Sequence, residues 1–158
     1  MTNGINRIID VFLDSSVLFA ACGSLTGASH SIVSLAEMGL LNVHITPYVT
    51  MEVERNLHRR LPKGVPLLNQ FLEKGTLILN NNPALEACKV WSHVIEEKDT
   101  PIVAAAVAIN ANYLLSFNTK DFTQQVAEAC NINILTPGQF IQLSRKVLSA
   151  GLKQHPNA

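Results

Sequence analysis

The stretch that decides the fold is Lys98–Phe122, which reads KDTPIVAAAVAINANYLLSFNTKDF. Its first part, Pro101 to Ala111, is apolar almost all round, which predicts a helix buried in the interior. Its next part, Tyr113 to Phe117, is a short apolar run of the kind that forms a buried strand. A buried helix that leads directly into a buried strand predicts an α/β unit.

The same alternation continues on both sides of this stretch. Further strands are predicted at Arg7–Leu13, Asn42–Thr46, Thr76–Leu79 and Ile132–Leu135. Further helices are predicted at Val17–Leu25, Ser31–Met38, Pro47–Arg60, Leu67–Glu73, Leu85–Ile95, Thr123–Cys130 and Gly138–Leu148. We therefore expect a three-layer α/β/α sandwich with a central, mostly parallel sheet. We expect it to be a single domain over residues 1–150, with a flexible tail at residues 151–158.

Composition narrows the class of protein. The chain has 158 residues, of which 47% are hydrophobic and 15% charged, so it can bury a continuous core. Its net charge of zero argues against strong non-specific attraction to nucleic acid. No apolar run is long enough to span a bilayer, and the first residues do not resemble a secretory leader. Cys22, Cys88 and Cys130 are far apart in apolar surroundings, which predicts free thiols and a cytoplasmic protein.

Four acidic residues stand where an apolar run ends or a helix begins: Asp14, Glu52, Asp99 and Asp121. In a parallel sheet, ligands collect beyond the carboxyl ends of the strands, and Asp14 follows such an end. Hard divalent cations such as Mg²⁺ prefer oxygen ligands, and their charge offsets the repulsion between neighbouring carboxylates. The pattern predicts a metal-dependent hydrolase.

Each acid also has a simpler interpretation. Asp14 could cap the helix that follows it, and Glu52 could be a solvated helix residue. Asp99 precedes a helix start, where the positive end of the helix dipole stabilises a carboxylate. Asp121 and Gln124 have the spacing of a capping box. The spacing alone leaves these alternatives open.

Four segments taken together resemble the PIN-domain family. They are VFLDSSVLFAA, ITPYVTMEVERNL, KDTPIVAAAVAINANYLLSFNTKDF and NINILTPGQFI, and they span about Arg7 to Phe140. The resemblance implies a Mg²⁺ or Mn²⁺ site formed by Asp14, Glu52, Asp99, and either Asn118 or Asp121. Phe117-Asn118 departs from the family, because members with a fourth acid often have Gly-Asp there.

The resemblance also implies an activity, a metal-dependent endoribonuclease, since many PIN-like proteins are ribonucleases and some are toxins with an antitoxin partner. We take Asp14, Glu52, Asp99 and Asp121 as catalytic residues, with Asp14, Asp99 and Asp121 as metal ligands. Ser15, Ser16, Asn118, Arg55 and Arg59 are the expected RNA-binding residues, although the serines could also be caps and the arginines a solvated helix face. The alternative is a catalytically incomplete RNA- or protein-binding module. An enzyme of another doubly wound type with Asp14 as nucleophile would usually have Asp-x-Asp, which Asp14-Ser15-Ser16 lacks.

We also expect a homodimer. Phe19, Leu25, Ile32, Leu35, Leu40 and Leu41 make two short helical segments more apolar than one face of a sheet requires. The same residues could instead belong to the core of a monomer. Helices near the start of the chain or around Trp91 would form the interface, and burial of such residues between subunits would stabilise it.

Overall fold

Residues 7–154 are described by a computed structural model, and they form one five-stranded sheet with helices on it. The strands are β1 (Ile9–Leu13), β2 (Leu41–Ile45), β3 (Ile78–Leu79), β4 (Tyr113–Leu115) and β5 (Asn133–Leu135). Their order is β3-β2-β1-β4-β5, and every neighbouring pair is parallel. The expected α/β class and parallel sheet are confirmed, and β1 is the central strand.

Within the described residues, the α-helices that cover the sheet number eight: α1 (Ser15–Gly23), α2 (Ala28–Glu37), α3 (Pro47–Arg60), α4 (Val65–Glu73), α5 (Leu85–Lys89), α6 (Thr100–Ala108), α7 (Gln124–Cys130) and α8 (Pro137–Gln154). Two short 3₁₀ turns, Pro62–Gly64 and Glu97–Asp99, precede α4 and α6. The chain moves outward from β1 to β3, then crosses to β4 and β5 on the other side. Because crossovers between parallel strands are right-handed, this reversal puts helices on both faces of the sheet.

The centre of the fold is dry and well packed. Val11, Phe12 and Leu13 of β1 are completely buried, as expected for a strand with neighbours on both edges and both faces. In α6 the side chains from Ile102 to Ala106 are all buried, which confirms that this apolar helix lies inside the protein. These two elements fix the positions of the acidic residues that adjoin them, Asp14 and Asp99.

The helix predicted to include Trp91 is shorter than its apolar pattern. It ends at Lys89, and the chain then continues in turns in which Trp91 N–H donates to the Cys88 carbonyl and Val94 N–H to that of Trp91. These bonds join residues three apart, and the branched residues Val90, Val94 and Ile95 favour helix weakly. The spacing of apolar residues persists through the turns because Trp91 and Ile95 still pack on the core.

The C-terminal helix is longer than predicted. Helix α8 extends past position 150 to Gln154, so residues 151–154 continue a helix. The rest of the predicted tail, residues 155–158, lies outside the described residues, as do residues 1–6. The predicted division at position 150 stays a prediction.

Two further observations concern the environment of the chain. Cys22, Cys88 and Cys130 are buried free thiols, and burial raises the pKa of Cys22 to about 12. No single helix in residues 7–154 is both long and apolar enough to cross a membrane. Helices α1 and α2 reach that length and composition only together, as a pair bent by 91°.

Candidate active site

A polar cleft opens beyond the carboxyl ends of β1 and β4, with a volume of about 320 Å³. The residues that line it are Asp14, Ser15, Ser16, Phe19, Glu52, Asn56, Arg60, Lys98, Asp99 and Asn118. Three of the predicted acidic residues, Asp14, Glu52 and Asp99, therefore share one cavity. They come from the end of β1, from α3 and from the turn before α6.

Asp14 forms the floor of this cleft and is only 6% exposed. Its Oδ2 accepts hydrogen bonds from Ser116 Oγ at 2.7 Å and from Ser16 Oγ at 2.8 Å. Its side chain makes no capping bond to α1, although its backbone carbonyl accepts from Val17 N–H. The capping alternative therefore does not explain the buried carboxylate. The two hydroxyl donors fix the direction of the carboxylate.

Glu52 faces the cleft and is tied to the helix opposite. Ser15 Oγ, at the start of α1, donates a 2.7 Å hydrogen bond to Glu52 Oε2. Glu52 is partly buried, so the alternative of a freely solvated helix residue does not hold. Through Ser15 and Ser16, the first turn of α1 holds two carboxylates, Asp14 and Glu52, which explains two adjacent serines after the strand.

Asp99 is the acid whose charge is least well accommodated. Burial raises its pKa from 3.8 to about 6, and repulsion from Asp14, Asp121 and Glu52 adds to this, while Lys98 lowers it. Its side chain does not cap α6. Its Oδ2 is buried and has no hydrogen-bond partner among residues 7–154. A buried carboxylate oxygen without a donor is costly, which is the condition that a bound cation would relieve.

Asp121 lies next to the cleft, in a turn after β4. Asn118 Nδ2 donates to Asp121 Oδ2 at 2.8 Å, and Asn118 Oδ1 accepts from Asp121 N–H at 3.3 Å. The cap of α7 is Thr123, whose side chain accepts from Val126 N–H, so Asp121 does not serve as one. Asn118 lines the cleft and Asp121 does not.

A second set of carboxylates joins Asp121 to the site. One carboxylate oxygen each from Glu96, Asp99 and Asp121 lie within 4.8 Å of one another. Asp99 thus belongs both to the cleft and to this trio. Glu96 is exposed and also forms a 3.7 Å ion pair with Lys98. Its position three residues before Asp99 was the only sequence signal that could have indicated it.

Two predicted RNA-binding residues lie away from this cleft. Arg55 and Arg59 are exposed on α3, and neither lines the cavity. The residues of α3 that do line it with Glu52 are Asn56 and Arg60, four and eight positions further on. Helical periodicity from Glu52 would have identified them, because residues four apart share a face. A role for Arg55 and Arg59 in binding RNA stays a prediction.

Tyr48 and Ser116 are supporting residues that spacing did not reveal. Tyr48 Oη donates to the Lys98 carbonyl at 2.7 Å and so joins α3 to the turn that carries Asp99. Burial raises the pKa of Tyr48, and nearby Glu52, Asp99 and Asp14 raise it further, so its hydroxyl stays protonated. Ser116 Oγ accepts from Asn118 N–H while it donates to Asp14.

The side chains present fit a hard divalent cation. The available ligand atoms are carboxylate oxygens, and Asp99 Oδ2, which has no hydrogen-bond partner in the described part of the chain, could ligate a cation. Among residues 7–154, the carboxylate oxygens close enough to share one ion belong to Glu96, Asp99 and Asp121, and neither Asp14 nor Glu52 is in this group. Asp14 and Asp99 also repel each other across the cleft, which bound positive charge would offset.

Comparisons with solved structures agree with this architecture. The chain is similar in fold to a chain of VapBC2 from Rickettsia felis, solved bound to a DNA fragment from the promoter. The TM-score is 0.58 and the identity 17%, covering 81% of this chain and 98% of that one. It is also similar to VapC20 of Mycobacterium tuberculosis, a sarcin–ricin loop cleaving toxin, with a TM-score of 0.53 and 16% identity, covering 75% and 94%. FitAcB of Neisseria gonorrhoeae is similar with a TM-score of 0.54 and 14% identity, covering 80% of this chain and 97% of that one.

Sequence comparison supplies the family. No curated protein matches the chain. The family model described as PIN domain matches residues 10–120, which is well over half of the chain. That range includes Asp14, Glu52 and Asp99 and ends just before Asp121. On this match, supported by the fold, the chain belongs to the PIN-domain family.

Proposed function

We propose that this PIN domain is a Mg²⁺- or Mn²⁺-dependent ribonuclease that hydrolyses RNA phosphodiester bonds. The observation that carries the proposal is the meeting of Asp14, Glu52 and Asp99 in one cleft, with a buried oxygen of Asp99 that has no donor among residues 7–154. Structural ion pairs do not account for this arrangement, because these three groups have like charge. Several carboxylates gathered in one cleft, with a perturbed pKa among them, are typical of a functional site.

We assign the residues the following roles in this reaction. Asp14, Asp99 and Asp121 would hold the ion, and Asn118 would keep Asp121 in place through its amide. When bound, a divalent ion lowers the pKa of coordinated water and neutralises charge that develops on the phosphoryl oxygens. Glu52, oriented by Ser15, would accept the proton of the attacking water. Ser16 and Ser116 fix the carboxylate of Asp14.

The alternative is an RNA- or protein-binding module whose site is incomplete. The observation that favours it is Asn118, an amide that lines the cleft where related proteins often have an acid. Its amide nitrogen also occupies one oxygen of Asp121, which reduces the capacity of Asp121 as a ligand. Metal-dependent cleavage separates the two functions.

Cleavage of a labelled single-stranded RNA tests the proposal directly. We expect cleavage with Mg²⁺ or Mn²⁺, none in EDTA, and a loss of at least about a hundredfold in Asp14→Asn and Asp99→Asn. Glu54→Gln, which removes an exposed carboxylate of the same α3, is the matched control and should remain active. Equal cleavage by wild type and both Asn variants would identify a contaminating nuclease and remove the claim.

We further propose a small antitoxin protein as a partner and the cytoplasm as the location. The support is the family together with the toxin described for VapC20, and the three free cysteines. Expression of the chain should stop growth of a host cell, and co-expression of a small protein encoded beside it should restore growth. Unimpaired growth during expression of active protein would contradict the toxin role and leave the ribonuclease proposal in place.

We also propose a homodimer, although fewer apolar side chains are exposed for an interface than the sequence suggested. Ile32 and Leu41 are buried, and Phe19, Leu35 and Trp91 pack against the core. Of the apolar residues that motivated the dimer near the start of the chain, Leu25 and Leu40 remain exposed, by 71% and 60%. Pairing would therefore depend on these and on other exposed apolar side chains.

A further inference from the structure

Three side chains that line the cleft take no part in holding its carboxylates: Phe19, Asn56 and Arg60. Asn56 and Arg60 follow Glu52 at steps of four residues, so all three share one face of α3. Each step advances about 6 Å along the helix axis. Phe19 comes from α1, which packs against α3. The cleft thus continues from the carboxylates toward the C-terminal end of α3.

Arg60 and Asn56 have hydrogen-bonding capacity to spare. The ion pairs formed among residues 7–154 are His44–Asp10, His58–Glu54 and Lys98–Glu96, so Arg60 has no carboxylate partner there. Asn56 makes no side-chain hydrogen bond within the same part of the chain, although it lines a polar cavity. A guanidinium without a carboxylate presents a planar set of donors that matches the oxygens of a phosphate.

A simpler explanation for Arg60 is the helix dipole. His58, Arg59 and Arg60 all lie in the last turn of α3, where positive charge is favourable. This effect applies equally to Arg59 and Arg60, and both are exposed. Only Arg60 lines the cleft. The two arginines therefore form a matched pair in which charge and helix position are nearly the same and only access to the cleft differs.

We propose that Phe19, Asn56 and Arg60 form a subsite for the nucleotide next to the scissile phosphate of a single-stranded RNA. Arg60 pairs with the phosphate of that nucleotide, and the Asn56 amide donates to its sugar–phosphate oxygens. The Phe19 ring stacks on its base, which requires an unpaired base. The assignment rests on the proposed function in that it takes RNA as the substrate.

Binding of a short, fluorescently labelled single-stranded RNA in EDTA tests the subsite without cleavage. Anisotropy gives Kd over a range of salt concentrations for wild type, Arg60→Ala, Arg59→Ala and Phe19→Leu. Because Arg60→Ala loses one phosphate contact, the negative slope of log association constant against log salt should become shallower by about 0.7, and Kd should rise severalfold. Arg59→Ala should change both much less. Phe19→Leu should raise Kd by about fivefold or more without a change of slope.

Several outcomes overturn the subsite. These are no RNA binding by the wild type, equal effects of Arg60→Ala and Arg59→Ala, or full affinity in Phe19→Leu. Thermal unfolding of each variant guards against misfolding, and Arg60→Lys should recover part of the salt slope. Arg60-dependent binding without metal-dependent cleavage would refute the ribonuclease proposal alone. Cleavage with no distinction between the two arginines would refute the subsite alone.

Discussion

Ser116 Oγ donates a 2.7 Å hydrogen bond to Asp14 Oδ2 from 102 positions further along the chain, and both residues are buried. The bond joins the loop after β4 to the end of β1, the two strand ends that border the cleft. Ser116 also accepts from Asn118 N–H, so one hydroxyl orients an acid and the turn that leads to Asp121.

Ser116→Ala should therefore lower the free energy of unfolding by about 1–3 kcal/mol, because a buried carboxylate oxygen loses a donor. Chemical denaturation measures this change. Ser144→Ala, which removes a hydroxyl bonded to the Phe140 carbonyl within α8, is the control and should alter stability little. A Ser116→Ala protein as stable as wild type would mean that Ser16 alone satisfies Asp14 Oδ2.

The raised pKa of Asp99 predicts a pH dependence of stability without metal. Because the folded pKa, about 6, is above the ordinary 3.8, the folded state binds the proton more tightly than the unfolded state. The resulting stabilisation is complete below about pH 4 and is lost as the pH rises through about 6. In EDTA, Asp99→Asn should be more stable than wild type near neutral pH, and the difference should shrink as the pH falls.

Thermal unfolding in EDTA at a series of pH values measures this difference. Glu54→Gln serves as the control, since it removes a carboxylate from an exposed position. If Asp99→Asn and wild type keep the same difference in Tm across the series, the crowding of charge around Asp99 is not what the structure indicates.

Glu96 and Glu97 are neighbours that should respond differently to metal. Glu96 has a carboxylate oxygen within 4.8 Å of oxygens of Asp99 and Asp121, whereas Glu97 does not belong to this trio. Mn²⁺ at about 100 times its Kd should stabilise the wild type by about 2.7 kcal/mol. Glu96→Gln should reduce that gain at fixed Mn²⁺, and Glu97→Gln should leave it unchanged. If calorimetric titration gives the same Mn²⁺ affinity for Glu96→Gln as for the wild type, Glu96 has no part in metal binding.

The oligomeric state is open to a direct measurement. We expect sedimentation equilibrium at micromolar concentration to show a dimer, and replacement of Leu25 and Leu40 by serine to weaken it, since stable interfaces bury roughly 800 Å² per partner. A single species near 17.2 kDa over the whole concentration range would contradict the dimer. The buried positions of Ile32 and Leu41 already remove part of the apolar surface that suggested it.

The sequence was sufficient to predict the fold class because, in the central segments, the predicted pattern of apolar residues matches the side chains that are buried in the structure. The apolar run before Asp14 and the apolar helix after Asp99 can bury their side chains only inside a sheet covered by helices. Helix ends were less predictable, as at Lys89, because apolar spacing is compatible with turns as well as with helix. Helical periodicity shows which residues lie on the same face of a helix, but tertiary packing decides which face borders the cleft.

The candidate site shows the same division. Asp14 and Asp99 could be selected from sequence because each stands at an element boundary, and Glu52 because it borders the apolar stripe of α3. Ser116 could not, since a serine at a strand end has many uses and its partner lies 102 residues away. Arg55 and Arg59 were chosen for charge, whereas the cleft is reached by Asn56 and Arg60, which share a helix face with Glu52.

The position of β1 in the middle of the sheet has a consequence for synthesis. Its two neighbours are β2, about thirty residues later, and β4, about a hundred residues later. A nascent chain that has not yet released Tyr113–Leu115 from the ribosome lacks one side of β1 and the hydroxyl of Ser116. Such long-range pairing is slow to form. The acidic cleft can therefore form only late in translation, and a chain that ends before β4 cannot form it.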